Sequence, residues 1–597
     1  MASPRAIPSA SAADFWVSSV PTLPDALEKF QIYAGDLPAR PPARAGDNAH
    51  IYFMLHKAKH TADKRRLLLW MNGGPGCSSF DGVMMEIGAW RTKADGTGLE
   101  WAQEGGAWNE YVDVLYLDQP VGTGFSYVST NAYASTLSQA ADEVKYFLER
   151  FVEVFPEYKR GNGADAYIVG ESFAGQYIPY TARSLVQAGG SSPVDLKGIA
   201  IGNGFIDPRS QYGSEIDLLV ERNVWQKGGK EYNAAMASFV KCQEMMRKTP
   251  GNPRNIPFCE SLLPQVIDLT KDMSGGQAMC INIYDVRLAD TMPECGMNWP
   301  PNLHATYDFL HRQDVRKAFN VNEKQKPEAW IECNKRVGSA LSSDTEDAAV
   351  TIIPGLLEHN IQVLIFAGDQ DLICNHIGLE RMIDNLEWNG RRGFSSAAST
   401  AAQQWYVNET VAGSWRTERN LTYVSVAGAS HMVGYDVPIV SHDMMLRWMN
   451  VDLLSAAGPS ARIPSRLGND AGRELVIGGA AGHDVSVIPG SKSTEQAALD
   501  AKWEAYYQAG SAALVILLLM LVIGSCIILR LRRAARKQGT YQAPGSRGIS
   551  IDSGADMELD RLVENADVED EADARRSQQL GKLEEERFVI HDERQER

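Results

Sequence analysis

Short apolar runs recur along the first 454 residues of the chain, and amphipathic segments with helical spacing separate them. Six of the runs are four to six residues long: Leu67–Met71, Val112–Leu117, Ala166–Val169, Gly198–Ile201, Val363–Phe366 and Leu421–Val426. Near-continuous apolar strands are typical of a parallel sheet that is covered on both faces, because neither face of such a strand meets water. The pattern therefore predicts an α/β fold with a mostly parallel central sheet.

Polar residues follow each run, at the point where the predicted strand ends. In chain order these segments read Asn72-Gly-Gly, Asp118-Gln-Pro, Gly170-Glu-Ser, Gly202-Asn-Gly, Gly368-Asp-Gln-Asp and Gly428-Ala-Ser-His. Ligands of open α/β sheets bind beyond the carboxyl ends of the strands. We therefore expect the functional site along this edge of the sheet.

The regular alternation of predicted strands and helices stops between Phe205 and about Ile352. Four cysteines fall in this stretch, namely Cys242, Cys259, Cys280 and Cys295. We expect an inserted cap that covers the sheet and is cross-linked by disulfides. The spacing does not fix which cysteines pair. No cysteine belongs to the paired C-x-x-C pattern of a zinc ribbon, and the sequence predicts neither a metal site nor a cofactor.

The chain as a whole divides by composition into four zones: a globular region, a stalk, an uncharged apolar segment and a tail. Residues from about Ala13 to Leu454 have globular composition, and 455–508, rich in Gly, Ser, Ala and Pro, are expected to form a stalk. Residues 530–597 mix acidic and basic side chains with few aromatics, which is typical of a disordered tail.

The segment Ala509–Leu529 carries no charge and is long enough to cross the hydrocarbon core of a membrane. The basic run Arg530–Arg533 follows at once, which predicts a single span with its C-terminal side in the cytoplasm. The alternative is a buried core helix, but the surrounding composition offers nothing to bury it.

Two sequons, at Asn408 and Asn420, agree with a lumenal catalytic region that is N-glycosylated. A lumenal N-terminus needs a leader, yet Met1–Ala13 contains no apolar core of a signal peptide. We expect either a truncated or mis-started gene model or targeting by the span itself.

The formal net charge of −17 at pH 7 argues against a nucleic acid partner, because phosphate binding needs clustered Lys and Arg. The same charge is compatible with a cationic peptide substrate.

Ser172 lies in a strand–turn–helix segment that resembles a nucleophile elbow. The turn requires small neighbours, and Gly170 and Ala174 supply them, although the usual motif has Gly in the last position. The Phe173 amide, at the start of the helix, can donate to an oxyanion.

A serine nucleophile needs a base, and that base needs an orienting acid. The chain order Ser, Asp, His is the order of α/β-hydrolases, and His431 follows the last predicted strand. Spacing alone does not separate Asp369 from Asp371 as the acid. The sequence thus predicts an α/β-hydrolase fold with a hydrolytic serine.

Several long motifs, in the same order, are similar to signatures of the serine carboxypeptidase family, over about Ala13 to Leu454. They are Trp70–Ser79, Asp118–Tyr127, Gly170–Gly175, Gly202–Gly204 and Ser430–Met432. The resemblance implies Ser172 as nucleophile, Asp371 as acid, His431 as base and an oxyanion hole of the Gly74 and Phe173 amides. It also implies a Cys77–Cys333 disulfide.

By the same resemblance, Asn72, Glu86 and Glu171 bind the C-terminal carboxylate of a peptide. Crowded like charges raise the pKa of at least one carboxyl group, so that a protonated Glu can donate to the substrate. This predicts an exopeptidase that favours mildly acidic pH. The alternative for Glu171 is that it only shapes the turn.

The resemblance also places Asp81, Cys374 and Met432 in the pocket for the leaving residue. A buried acid at Asp81 would pair with Lys or Arg, as in the fungal pheromone-processing carboxypeptidases that trim basic residues after a kexin-type protease has cut. That subgroup implies a type I membrane protein of the trans-Golgi network. The simpler alternative is that Asp81 caps a helix.

Two other classes of function compete with this interpretation. One is a different α/β-hydrolase activity, such as that of an esterase, an acyltransferase or a hydroxynitrile lyase. The other is a catalytically silent binding protein on a hydrolase fold.

Overall fold

The computed structural model of the chain describes residues 10–41, 48–60, 62–129, 132–342, 345–397, 400–453 and 463–468. Within them the strands are β1 (Ile32–Pro38), β2 (His50–His56), β3 (Arg66–Met71), β4 (Trp90–Thr92), β5 (Leu99–Trp101), β6 (Asp113–Asp118), β7 (Asp165–Glu171), β8 (Asp195–Gly202), β9 (Met279–Ile281), β10 (Ala289–Thr291), β11 (Gln362–Gly368), β12 (Glu387–Trp388), β13 (Arg391–Arg392), β14 (Gln403–Val407), β15 (Thr410–Glu418), β16 (Leu421–Val426) and β17 (Ser465–Leu467).

The α-helices of the same residues are α1 (Ala26–Lys29), α2 (Leu137–Val154), α3 (Ala174–Gln187), α4 (Pro208–Gln211), α5 (Ser214–Glu221), α6 (Lys230–Lys248), α7 (Pro257–Glu260), α8 (Leu262–Leu269), α9 (Leu303–His311), α10 (Gln313–Ala318), α11 (Lys335–Ser342), α12 (Ile353–Glu358), α13 (His376–Asn385), α14 (Val433–Asp436) and α15 (Pro438–Trp448).

Eleven strands form one sheet in the order β1-β2-β6-β3-β7-β8-β11-β16-β15-β14-β17. The six strands from β6 to β16 run parallel, and they are the six apolar runs that the sequence predicts. The strands outside this block pair antiparallel. The sheet is therefore mixed, and the expectation of a mostly parallel sheet holds only for its centre.

Both faces of the parallel block are buried. Along β3, the side chains of Leu67 and Leu69 join one apolar core, whereas those of Leu68 and Trp70 join the other. The first core includes residues of α2, α3, α12 and α13, and the second includes residues of α9 and α15. This two-sided burial is why these strands have near-continuous apolar sequences.

The segment between β8 and α12 forms the predicted insertion, with its own small apolar clusters. Its cysteines pair as Cys242–Cys259 and Cys280–Cys295, which settles the pairing that the sequence left open. A third disulfide joins Cys77 to Cys333, as the resemblance implied, and Cys374 is a buried free thiol.

No helix of the described ranges is long and apolar enough to cross a membrane. The predicted stalk, span (Ala509–Leu529) and tail lie outside those ranges, apart from residues 463–468. Asn408 and Asn420, the predicted glycosylation sites, are exposed and have left-handed backbones at the turns before β15 and β16.

Candidate active site

Ser172 occupies the turn that joins β7 to α3. Its φ of +61° is left-handed, a conformation that is strained for a residue with a side chain. Two backbone hydrogen bonds hold the turn: Ser172 donates to Gly202 O (3.0 Å), and Phe205 donates to Ser172 O (2.9 Å). Because both partners belong to the end of β8 and the loop after it, the sheet itself fixes the position of the serine.

A glycine allows the loop of residues 72–76 to lie against this turn. A Cβ on Gly73 would stand 2.4 Å from Phe173 N and 2.8 Å from Ser172 Cβ, closer than such atoms approach. Gly74, with a φ of +106°, lines the same cavity as Ser172 and Phe173. The structure thus brings both residues predicted for an oxyanion hole beside the serine.

His431 and Asp371 form a buried pair at the ends of β16 and β11. Nδ1 of His431 lies 2.9 Å from Oδ2 of Asp371. The other candidate acid, Asp369, instead accepts a hydrogen bond from the Gly428 amide and pairs with Arg222 at 3.6 Å. The geometry therefore separates the two aspartates in favour of Asp371.

Asn203 holds the Asp371 carboxylate in place. Its Nδ2 donates to Asp371 Oδ2 (2.8 Å), and its Oδ1 accepts from the Gly368 amide (2.9 Å). Its own backbone is left-handed, with a φ of +39°. The Gly202-Asn-Gly204 motif indicated a polar strand end but no role for Asn203. The signal that could have found it is an asparagine between two glycines, since Asn tolerates this conformation.

Among the described residues, the Ser172 hydroxyl makes no hydrogen bond to His431. Catalytic hydrogen bonds in ligand-free enzymes are often long and shorten only when substrate binds. The arrangement supplies a half-buried hydroxyl, an imidazole oriented by a buried carboxylate, and backbone amides nearby. These groups can carry out acyl transfer through the serine.

Asn72, Glu86 and Glu171 come together beside the serine, and each is at most 5% exposed. Asn72 Nδ2 donates to Glu86 Oε1 (3.0 Å) and to Glu171 Oε1 (3.2 Å). Asn72 is oriented in turn by the Trp70 indole, which donates to its Oδ1 (2.6 Å). Glu86 lies in a π-helical turn, Gly82–Glu86, that reaches back towards the sheet.

The two glutamates accept from the same Asn72 amide, and each carboxyl group changes the pKa of the other. Burial, together with the charge of Glu86, raises the pKa of Glu171 well above its ordinary value. Burial also raises the pKa of Glu86, although hydrogen bonds from Glu171 and Asn72 oppose that shift. Glu171 is therefore the more readily protonated group of the pair. A protonated pair of this kind can donate to an entering carboxylate, which two ionised groups would repel.

Asp81 lies near these residues with only 3% of its surface exposed. Its side chain makes no cap hydrogen bond to the following turn, so the structure does not support the alternative role as a helix cap. One carboxyl oxygen, Oδ1, is buried without a hydrogen-bond partner among the described residues. Burial, followed by the charge of Glu332, raises the pKa of Asp81 well above its ordinary value.

A cavity of about 570 Å³ opens beside Ser172, lined by residues that include Phe205, Tyr212, Ile373 and Cys374. Cys374 lines this cavity, whereas Asp81 and Met432, which were predicted with it for the leaving-residue pocket, do not. None of Asn72, Glu86 and Glu171 lines it either. The serine stands between this cavity and the carboxyl cluster.

A profile of the family described as "Serine carboxypeptidase" matches residues 21–451. The "Pheromone-processing carboxypeptidase KEX1" of Coprinopsis cinerea is 43% identical over 556 residues, covering 92% of this chain and 88% of the relative. The protein of the same name in Puccinia graminis f. sp. tritici is 41% identical over 538 residues, covering 89% and 79%.

Among solved structures, the chain is similar to a prohormone-processing carboxypeptidase from Saccharomyces cerevisiae. The TM-score is 0.67 and the sequence identity 30%, over 74% of this chain and 96% of the solved one.

Replacing Asn203 with Ala is expected to slow the reaction of Ser172 with an organophosphonate about 10- to 100-fold, because Asp371 loses a charge-assisted hydrogen bond and no longer holds His431 in one orientation. The measurement is the second-order labelling rate of the full-length protein, with Asn233→Ala on the exposed face of α6 as the matched control. Equal labelling rates for Asn203→Ala and the parent would contradict this positioning role.

Proposed function

Because the chain belongs to the serine carboxypeptidase family, we propose that Ser172, His431 and Asp371 release the last residue of a peptide through an acyl-enzyme. Ser172 Oγ attacks the carbonyl carbon of the last peptide bond and passes its proton to His431 Nε2. The Gly74 and Phe173 amides stabilise the oxyanion. His431 then protonates the leaving amine, and water hydrolyses the ester by the same route.

The carboxyl cluster makes the reaction an exopeptidase reaction. Asn72, Glu86 and Glu171 receive the free α-carboxylate of the last residue, which an internal peptide bond does not possess. The observation that supports this proposal is that two buried glutamates both accept from the Asn72 side-chain amide, where burial and the charge of Glu86 raise the pKa of Glu171. Such a site is complementary to an anion only while the proton is present.

The position of the cavity beside Ser172 suggests which part of the peptide it binds. It lies away from the carboxyl cluster that takes the leaving residue, so it is available to the side chain before the scissile bond. Apolar side chains such as Phe205, Leu263 and Leu341 make up much of its lining, and Glu215 and Glu260 also line it.

We further propose a preference for Lys or Arg as the leaving residue. The observation that carries this proposal is the buried Asp81 carboxylate, whose Oδ1 has no partner among the described residues. A cationic side chain would supply the missing donor and form a charge-assisted hydrogen bond. A neutral leaving residue would leave that oxygen unsatisfied, which costs binding free energy.

The names of the relatives suggest the source of such peptides. Proteins described as pheromone-processing carboxypeptidases match about nine-tenths of this chain. We propose that this chain likewise trims precursor peptides whose basic C-termini are exposed by a kexin-type endoprotease. The formal net charge of −17 favours such cationic substrates.

We also propose that the protein is a type I membrane protein of the trans-Golgi network, with a glycosylated lumenal catalytic region. The uncharged stretch Ala509–Leu529 and the basic run after it support this topology. Deleting residues 509–597 is expected to move the protein from the carbonate-washed membrane pellet to the soluble fraction of expressing cells. A truncated protein that stays in the pellet would contradict the anchor.

Peptidase activity is expected to fall as pH rises through the raised pKa of Glu171, because the deprotonated pair repels the substrate carboxylate. In the parent, KM for a peptide with a free C-terminal carboxylate should therefore rise at alkaline pH. Glu171→Gln keeps a hydrogen-bond donor that does not titrate, so its KM should not show this rise. The measurement is KM against pH for parent, Glu171→Gln and the exposed control Glu153→Gln. Parallel profiles for parent and Glu171→Gln would count against the carboxylate site.

Replacing Asp81 with Asn is expected to lower the ratio of kcat/KM for Lys-ended over Leu-ended peptides by about 30-fold or more, because a buried charge pair is lost. Two peptides that differ only in the last residue provide the measurement, and the exposed Asp95→Asn is the control. If the ratio is the same in Asp81→Asn and the parent, Asp81 does not recognise the leaving residue.

A further inference from the structure

Arg91 lies in β4, one short loop after the π-helical turn Gly82–Glu86. Its guanidinium donates to three backbone carbonyl oxygens, those of Glu86, Gly88 (3.0 Å) and Trp90 (2.9 Å). In the part of the chain that the structure describes, no carboxylate lies within salt-bridge distance of it. The forked donors of Arg91 therefore hold the end of the turn, and no adjacent ion pair neutralises the charge.

Other contacts join β4 to the same turn. The Gly88 amide donates to Gly82 O (2.9 Å), and the Trp90 indole donates from Nε1 to Met84 Sδ (3.2 Å). Trp90 is itself fully buried, so this side of β4 belongs to the core. The position of the Glu86 backbone therefore depends on the strand that carries Arg91.

The charge of Arg91 also acts on the Glu86 carboxyl group. Burial has the largest effect on the pKa of Glu86 and raises it, whereas the charge of Arg91 lowers it. Burial lowers the pKa of the Arg91 guanidinium to about 10, so this group remains charged at neutral and acidic pH. Tyr116 and Tyr435 also interact with Arg91, but burial raises the pKa of both phenols and leaves them neutral there.

Charges of opposite sign surround the two glutamates of the carboxyl cluster. The negative charges that act on Glu171 come from three carboxylates, Glu86, Asp81 and Asp371, and Asp81 also interacts with Glu86. The cations that act on Glu86 are Arg91 and His431. The carboxylates favour the protonated form of Glu171, and the cations favour the ionised form of Glu86.

We propose that Arg91 is a positioning residue of the carboxylate site, which holds the backbone of Glu86 at the end of the turn and, through its charge, directs the retained proton to Glu171. Arg91 acts through Glu86 and does not touch the substrate. The inference rests on the proposed binding of a peptide carboxylate by Asn72, Glu86 and Glu171.

Loss of the Arg91 charge should change the pH range in which the pair of glutamates holds its proton. Without this cation the ionised forms of Glu86 and Glu171 are less favourable, so the pKa of the pair rises. The alkaline rise in KM for a peptide with a free C-terminal carboxylate should then move to higher pH. Loss of the three hydrogen bonds alone would increase KM without moving that rise.

The test compares the full-length parent with Arg91→Gln, which removes the charge, and with Arg91→Lys, which keeps the charge but lacks the forked donors. The control is Arg391→Gln, an exposed arginine in β13. Values of KM and kcat for a peptide acid are measured between about pH 4.5 and pH 9, and rates are normalised to active sites labelled by an organophosphonate.

For Arg91→Gln we expect KM at mildly acidic pH to increase about tenfold and kcat per labelled site to stay within about twofold. The alkaline rise in KM should move up by about one pH unit. For Arg91→Lys we expect a higher KM with the rise at the parental pH, because the charge remains. The control should match the parent in both respects.

The outcomes separate this inference from the one on which it rests. If KM of the parent does not rise with pH, the proposed carboxylate site fails. If it rises and Arg91→Gln has the parental KM, or a higher KM with an unmoved rise, only the role of Arg91 is overturned. If Arg91→Gln yields no labelled sites, Arg91→Lys decides: a higher KM with an unmoved rise supports the role, and any other result overturns it.

Discussion

The proposed active site depends on the burial of two carboxyl groups, Glu86 and Glu171, against one side-chain amide. Burial disfavours the ionised form of both glutamates and raises the pKa of each, so that the pair can retain a proton and act as a donor. The same physics applies to Asp81, where burial again raises the pKa.

The fold imposes this arrangement through close backbone approaches rather than through flexible side chains. Gly73 allows one loop to lie against the strained turn of Ser172, and the π-helical turn Gly82–Glu86 brings an acid back towards the sheet. The Cys77–Cys333 disulfide adds a segment from the insertion. Such geometry orders the groups before substrate arrives, which lowers the entropic cost of binding and reaction.

Apolar periodicity identified the six parallel strands and the turn of Ser172, because burial on both faces leaves a strong pattern. The antiparallel edges escaped prediction, since strands such as β15 mix exposed and buried positions. The role of Asn203 depends on contacts between residues far apart in the chain. The local sequence pattern does not encode such contacts. It did place Asp369 and Asp371 at a strand end, which indicated that one of them supplies the acid.

The central claim is that the site binds a free terminal carboxylate by means of a proton retained by Glu86 and Glu171. Calorimetric titration of full-length Ser172→Ala with a non-cleaved peptide ending in Arg, and with the same peptide as its C-terminal amide, tests it most directly. The account predicts that the acid binds at mildly acidic pH and the amide at least about tenfold more weakly. Affinity of the acid should fall about tenfold per pH unit above the pKa of Glu171. Equal binding of both peptides at every pH would contradict it.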